Sequence, residues 1–136
     1  MTRVDRQPAS GFASLMDLDS YNAFCAGLPQ TTHVVQWGGA HVWKVGGKVF
    51  AIAGWSRADE LAVTFKVSDL AFDILREQQG LRPAPYLASR GMSWIQRASA
   101  ETMDDEALKD YLRESHRLVA AKLTRGLRRE LGLDPG

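Results

Sequence analysis

The chain has 136 residues, 17 basic against 16 acidic side chains, and a single cysteine. Apolar residues make up 45% of it, which is ordinary for a globular protein and excludes a collagen-like or wholly disordered chain. The length predicts one domain with one hydrophobic core. No apolar run is long enough to span a bilayer and no secretory signal is visible, so we expect a soluble, cytoplasmic protein.

The domain is expected to cover residues 12–124. Residues 1–11 are polar and contain Pro8 and Gly11, which predicts a flexible N-terminal tail. Residues 125–136 are basic at first and end in a proline and a glycine, which indicates a basic C-terminal tail. Nothing in the sequence points to an oligomer, so a monomer is favoured.

The hydrophobic pattern predicts eight elements in the order α-β-β-β-β-α-β-α. Helices are expected at about 15–26, 69–79 and 104–123, and strands at about 33–37, 41–45, 48–53, 61–67 and 93–97. Residues 81–92 contain two prolines and a glycine and are predicted to be irregular. Because strands and helices do not alternate, the order predicts an α+β domain with an antiparallel sheet of about five strands and helices packed on one face.

Gly46-Gly47 predicts a two-residue hairpin turn, because glycine readily adopts the positive φ angles of a type I′ turn. Pairing outward from this turn predicts one large apolar face toward the core, made of His41, Trp43, Val45, Phe50 and Ile52. It predicts an opposite, smaller face made of Val42, Lys44, Val49, Ala51 and Ala53. In the strand at 61–67, the same alternation directs Ala62, Thr64 and Lys66 outward.

The charges are unevenly distributed along the chain, although the net charge is only +1. Residues 81–100 contain three arginines and no acid, residues 113–129 contain six basic residues and one acid, and residues 101–110 contain five acids and one lysine. Segregated positive charge is what a nucleic-acid-binding surface requires. The alternative is that the last helix has an ordinary solvated charged face.

No catalytic or cofactor motif stands out. The histidines, His33, His41 and His116, lie far apart, and none has a second metal ligand at the spacing of a zinc helix. Cys25 is predicted to be a small buried helix residue. The glycine pairs do not match a phosphate-binding loop. The sequence therefore predicts a protein that is not an enzyme and that uses no metal or cofactor.

Three segments resemble the MmcQ/YjbR family of small bacterial proteins. They are Leu28-Pro29 with Trp37-Gly38 and His41-Val-Trp-Lys-Val-Gly-Gly-Lys-Val-Phe-Ala51, then Arg82-Pro-Ala-Pro-Tyr-Leu-Ala-Ser-Arg-Gly-Met-Ser-Trp94, and finally the helix from Asp105 to Leu123. The resemblance covers about residues 15–123. It implies a CyaY-like, double-wing α+β fold and DNA binding, and it implies no enzymatic activity.

Six residues are candidates for contacting DNA or another polyanion. Five cations, Lys44, Lys48, Lys66, Arg82 and Arg90, are expected to neutralise phosphates, and Tyr86 is expected to stack on a base. In the double-wing fold that the resemblance implies, the hairpin beside Lys48 is expected to act as a wing that contacts the phosphates of DNA. Two alternatives remain: Lys48 simply keeps the hairpin tip solvated, or the groove beside the loop at 81–92 binds a protein or a small ligand.

Overall fold

The computed structural model describes residues 16–54, 61–85, 87 and 92–133. The predicted tail at 1–11 lies outside them. The helices are α1 (Leu18–Ala26), α2 (Asp69–Leu75), α3 (Asp105–Ala121) and α4 (Arg125–Glu130), and the strands are β1 (Thr31–Gln36), β2 (Ala40–Val45), β3 (Lys48–Ala53), β4 (Val63–Lys66), β5 (Leu81–Pro83) and β6 (Trp94–Arg97). No helix in these ranges is long and apolar enough to cross a membrane.

The strands form one six-stranded sheet in the order β1-β2-β3-β4-β6-β5. Every neighbouring pair is antiparallel. The predicted single α+β domain with an antiparallel sheet is therefore confirmed, with six strands instead of about five and four helices instead of three.

Each helix begins at a side chain that accepts a hydrogen bond from the helix backbone. The four capping residues are Asp17, Ser68, Asp104 and Thr124, and each accepts from the amide three residues later. Such a cap satisfies one of the amides that have no partner within the first turn, which fixes where the helix starts.

The main hydrophobic core lies between the helices and one face of the sheet. Fully buried side chains from α1, from α3 and from the central strands meet there, among them Tyr21, Phe50, Phe65, Leu108 and Leu112. Helix α3 packs along β3 and β4, and α2 packs beside β5 and β6. The expectation that the helices pack on one face is confirmed.

The hairpin turn forms as predicted, with φ angles of 59° at Gly46 and 81° at Gly47. The predicted register is right only as far as the pair of Lys44 and Val49. Beyond it the register shifts, so that Trp43 lies opposite Ala51, and Phe50 is an extra residue without a partner on β2. The shift is a β-bulge, which inserts one residue into a strand and reverses the faces of those that follow.

The bulge corrects the predicted core. Ile52 lies opposite Val42 and packs with it on the face away from the helices, where we expected Val42 but not Ile52. Ala51 and Ala53 occupy the core face instead. His41 therefore lies opposite Ala53 rather than Ile52.

Two elements occur where no regular structure was expected. Strand β5 occupies the start of the proline-rich segment 81–92, which was predicted to be irregular. Pro83 is compatible with this strand because β5 lies at the edge of the sheet, where the outward-facing backbone positions have no neighbouring strand to bond to. Helix α4 lies within the segment 125–136 that the sequence indicated as a tail, and Leu127 and Leu131 pack against the main core.

Candidate functional site

One row of residues crosses the sheet from edge to edge on the face opposite the helices. Each member lies directly opposite the next on the neighbouring strand, in the order Val34, Val42, Ile52, Thr64, Gln96 and Arg82. Directly paired residues point to the same side of a sheet, so these six side chains share one face. Lys44, Lys66 and Trp94 lie two residues from members of the row on β2, β4 and β6, and so belong to this face too.

The half of this face on β1 to β3 is apolar. Val42 and Ile52 form a small second core, against which Val34 and Val49 pack. Leu87, from the segment between β5 and β6, packs over the same cluster. Leu87 therefore covers part of this apolar cluster.

The half on β4 to β6 is polar, and we call Thr64, Lys66, Arg82, Trp94 and Gln96 the polar patch. Arg82 donates its Nε hydrogen to Gln96 Oε1 at 2.6 Å. The amide nitrogen of Gln96 donates to the carbonyl of Gly54 at 3.4 Å. Thr64 was expected to point outward, and it does lie on this face, but it is fully buried, as is Gln96.

Two polar atoms of the patch are buried without a hydrogen bond to any group in the described part of the chain. They are the hydroxyl of Thr64 and the indole nitrogen of Trp94. A buried polar group left without a partner costs about 1–3 kcal/mol of stability. The patch therefore contains two donors that no described group accepts from, at a cost to the stability of the fold.

The six strands, which the structure describes in full, contain no aspartate or glutamate. They contain five cations: Lys44, Lys48, Lys66, Arg82 and Arg97. Arg97 lies on the core side, 2% exposed, and forms an ion pair with Asp105 at 3.0 Å. None of the other four forms an ion pair with a carboxylate that the structure describes.

The structure brings three of the predicted site residues onto one face. Lys44 and Lys66 lie on β2 and β4, on either side of β3, and Arg82 lies on β5. Lys66 places its Nζ 5.7 Å from the ring centroid of Trp94. Lys48 is exposed at the hairpin tip, where it lies opposite the core residue Val45, so it belongs to the helix side of the sheet and not to this face. The remaining two, Tyr86 and Arg90, lie outside the described residues.

The basic residues near the C-terminus are largely engaged within the helices. Arg113 pairs with Asp110, and Arg117 pairs with Glu114. Arg128 donates to the carbonyls of Ala121, the last residue of α3, and of Leu123, two residues beyond it. These three arginines therefore fit the alternative interpretation, in which the segment is an ordinary charged helix surface.

Comparison with known proteins identifies the fold. The sequence model of the YjbR family matches residues 26–118, more than half of the chain. The chain belongs to the YjbR family.

Two solved structures share the architecture of this YjbR-family protein. Deinococcus radiodurans protein DR2400, which contains a DUF419 domain, aligns with a TM-score of 0.75 and 27% identity over 86% of this chain and 88% of its own. A protein from Pseudomonas syringae aligns with a TM-score of 0.62 and 15% identity over 76% of this chain and 99% of its own, which shows the fold alone. No curated protein matches the chain.

The YjbR-family protein has a histidine cluster that the sequence analysis missed. His33 Nε2 and His41 Nδ1 lie 3.0 Å apart, so one ring donates a hydrogen bond to the other. Trp43 stacks on His33 with the ring centroids 4.7 Å apart, and its indole donates to Asn22 Oδ1 at 2.9 Å. Partial burial, with a smaller contribution from His41, lowers the pKa of His33.

The signal for this cluster was present in the turn after β1. Trp37, Gly38 and Gly39 all have positive φ angles and reverse the chain. Pairing outward from that turn would have placed His33 opposite Trp43, two residues from His41. In the part of the chain that the structure describes, neither this cluster nor any other brings together three or more residues of the types that ligate metals.

The other two candidates for chemistry in the YjbR-family protein are buried in structural positions. Cys25 is fully buried in α1, as predicted, and burial raises the pKa of its thiol to about 12. The thiolate is the nucleophilic form of cysteine, so this side chain is unreactive at neutral pH. The ring of His116 is hydrogen-bonded through Nε2 to the carbonyl of Pro29 at 2.8 Å.

Proposed function

We propose that this YjbR-family protein is a cytoplasmic binding protein for DNA or another polyanion and that it does not catalyse a reaction. The observation that supports the proposal is the charge of the sheet, which carries five cations and no carboxylate on its six strands. Four of those cations, Lys44, Lys48, Lys66 and Arg82, are without an acidic partner among the described residues. Such cations can neutralise phosphates without first breaking an ion pair.

The arrangement of the cations suits contact with a phosphate backbone. Lys44 and Lys66 are separated by one strand, so their backbones lie roughly 10 Å apart. Lys48, at the hairpin tip, and Arg82, on the edge strand β5, are exposed. Contacts to phosphates position a protein without reading the bases, so the proposal predicts weak sequence preference.

The buried centre of the face limits how a duplex can approach. Thr64, Gln96 and Ile52 are at most 1% exposed, so the middle of the face is not open to a nucleic acid. We therefore expect a duplex to contact the exposed cations at the margins, Lys48 and Arg82, before the half-buried Lys44 and Lys66.

The test is the salt dependence of DNA binding, measured by fluorescence anisotropy with a labelled duplex. For wild type we expect the logarithm of affinity to fall linearly with the logarithm of salt concentration, by about 0.9 per phosphate neutralised. The double variant Lys48→Gln/Arg82→Gln should bind more weakly and lower the slope by up to about 2. A flat salt response, or no binding at low salt, would contradict the proposal.

The matched control for these variants is Arg129→Gln. Arg129 is exposed on α4, outside the sheet, and the substitution removes the same charge as each sheet substitution. The proposal requires DNA binding to stay close to wild type in this variant. If Arg129→Gln weakens binding as strongly as the sheet variants, the surface that contacts DNA is the C-terminal helix and not the sheet.

A second candidate function is binding of a small ligand in the groove beside residues 81–92. The observation that favours it is the presence on β4 and β6 of two buried donors, Thr64 and Trp94, that have no partner among the described residues. This candidate does not require a duplex to reach the centre of the sheet. A thermal-shift screen would favour it if neutral ligands stabilise the protein and DNA does not.

A further inference from the structure

The two edge strands of the sheet differ in how well they are protected from pairing with a further strand. Strand β5 has three residues, among them Arg82 and Pro83. Short length, a charged side chain and a proline are features by which natural edge strands avoid pairing with another chain. Strand β1, at the other edge, has six residues without a proline, lysine, arginine, aspartate or glutamate, and its pairing with β2 has no bulge. Strand β1 therefore lacks the protection that β5 has.

The pairing of β1 with β2 leaves one set of backbone groups pointing outward. A two-residue hairpin turn is closed by a hydrogen-bonded pair, which in the turn between β2 and β3 is Val45 and Lys48. Successive residues of a strand direct their amides and carbonyls to alternate sides, so the next residue, Lys44, bonds to Thr32 on β1. By the same alternation, the groups that point away from β2 are those of Thr31, His33 and Val35.

The outward edge of β1 is open to a further strand. No described backbone group outside the β1–β2 pair bonds to its outward amides and carbonyls. His33 lies opposite the core residue Trp43 and so points to the helix side, as does Val35 two residues along. Both side chains are nevertheless exposed, Val35 by 51%. The described helices therefore stop short of β1 and leave room beside it.

The composition of β1 suits pairing with a second copy of itself. At neutral pH His33 is uncharged, because its pKa lies below the ordinary value of 6.5. Antiparallel pairing of residues 31–36 with the same strand of another copy then places no like charges opposite each other. Threonine and valine, which make up four of the six residues, are favoured in paired strands. The protected edge at β5 cannot take this role, so the pairing is between two β1 strands and closes as a dimer.

We propose that β1 is a dimerisation edge, at which the β1 strands of two copies pair antiparallel and join the two sheets into one, with six strands from each copy. An interface built on one edge strand is smaller than the roughly 800 Å² per partner of a standard stable complex, so we expect a weak, reversible dimer. The sequence favoured a monomer because hydrophobic alternation does not show which strand lies at the edge. The proposal and DNA binding do not depend on each other.

The first experiment is sedimentation velocity of the full chain from micromolar to millimolar concentration. The average mass should rise with concentration from that of a monomer toward that of a dimer and no further, because pairing uses up the open edge of both copies. A monomer over the whole range overturns the proposal. Continued growth beyond the dimer also overturns it, because it would require a second open surface.

The second experiment places a charge on the edge with Val35→Lys. The dimer should weaken about tenfold or more, because each copy loses an exposed apolar contact and brings a like charge to the shared edge. The matched control is Leu70→Lys, which adds the same charge to an apolar side chain of α2 that is 72% exposed. This control should dimerise like wild type, and circular dichroism should show both variants folded. Equal weakening in the two variants would assign the effect to net charge and overturn the proposal.

The third experiment measures hydrogen exchange of single amides by NMR and tests whether the dimer uses β1. The amide of Val34 bonds to β2 and should be protected at every concentration. The amides of His33 and Val35 should exchange rapidly in dilute protein and become protected only as the dimer forms. A dimer in which they remain unprotected uses another surface and contradicts the proposal. Protection of both amides in the monomer would show that a segment of the same chain covers the edge, which also overturns it.

Discussion

The hydroxyl of Ser115 in α3 donates a hydrogen bond of 2.6 Å to the carbonyl of Phe50 in β3, which precedes it by 65 positions. The same oxygen accepts from the amide of Lys66 in β4 at 2.9 Å. Phe50 is the extra residue of the bulge, and the pairing of β3 with β4 begins only at Ala51. Helix α3 thereby supplies hydrogen bonds at the point where β3 and β4 diverge and no longer bond to each other.

Replacing this hydroxyl should destabilise the protein. In Ser115→Ala, the buried carbonyl of Phe50 and the amide of Lys66 both lose a partner, at a cost of about 1–3 kcal/mol in the free energy of unfolding. Urea denaturation followed by circular dichroism measures the loss. Ser20→Ala, at an exposed position of α1, is the control and should change stability little. Equal stability of Ser115→Ala and wild type would show that water replaces the hydroxyl.

The buried ion pair of Arg97 and Asp105 should be costly to break. Arg97 also donates to the carbonyl of Met103 at 3.1 Å, so it joins β6 to the loop before α3. Asp105→Ala leaves a buried guanidinium without its counter-charge, which should cost about 3–5 kcal/mol. In contrast, Glu114→Ala breaks the exposed pair with Arg117 and should lower the stability far less, because solvent screens such a pair. Similar melting temperatures for the two variants would contradict this ranking.

Stability should decrease in mild acid because of His33. In the folded protein the pKa of His33 lies below its ordinary value of 6.5, so the unfolded chain takes up the proton first. The contribution of neutral His33 to the free energy of unfolding is therefore fully present above about pH 6.5, and it is lost as the pH falls through the lowered pKa. It should be modest, since the ring is exposed.

The measurement is the melting temperature of wild type and His33→Gln between pH 7.5 and pH 5. The wild-type value should fall more steeply with acid than that of the variant. Parallel pH profiles of the two proteins would mean that protonation of His33 is not coupled to folding.

The two glycines of the β2–β3 turn should respond differently to alanine. A Cβ on Gly46 would lie 2.5 Å from Cδ1 of Leu123, whereas a Cβ on Gly47 would meet nothing within 4 Å. Both positions have positive φ, so both variants bear backbone strain of about 1 kcal/mol or more. Gly46→Ala must also displace Leu123 and should have the lower melting temperature. The reverse order would show that the hairpin tip does not rest on Leu123.

Much of the fold was predictable from local sequence patterns, and the errors of the prediction also have local causes. The Gly46-Gly47 turn and the alternation of the strands gave the antiparallel sheet. The bulge at Phe50 escaped prediction because β3 is buried on both faces from Phe50 to Ala53, so its hydrophobic residues do not mark the change of face, and its consequence was the misplaced Ile52. Strand β5 was hidden by its prolines, which an edge strand tolerates.

The candidate site was predictable only in part. Alternation placed Lys44 and Lys66 on one face, but the position of Arg82 depends on the pairing of β5 with β6, which no local pattern encodes. The burial of Thr64 depends on what covers the sheet, and was missed for the same reason. The His33–His41 contact required the β1–β2 register, which the turn at Gly38 and Gly39 did encode.

The close approach of Gly46 to Leu123 has a consequence for Lys48. The hairpin tip is supported by Leu123, two residues after the end of α3, so Lys48 is held in place rather than carried on a mobile turn. The family match ends at residue 118, before this support. A protein truncated there would retain all six strands, yet its hairpin tip would move more widely, and ordering Lys48 against a ligand would then cost additional conformational entropy.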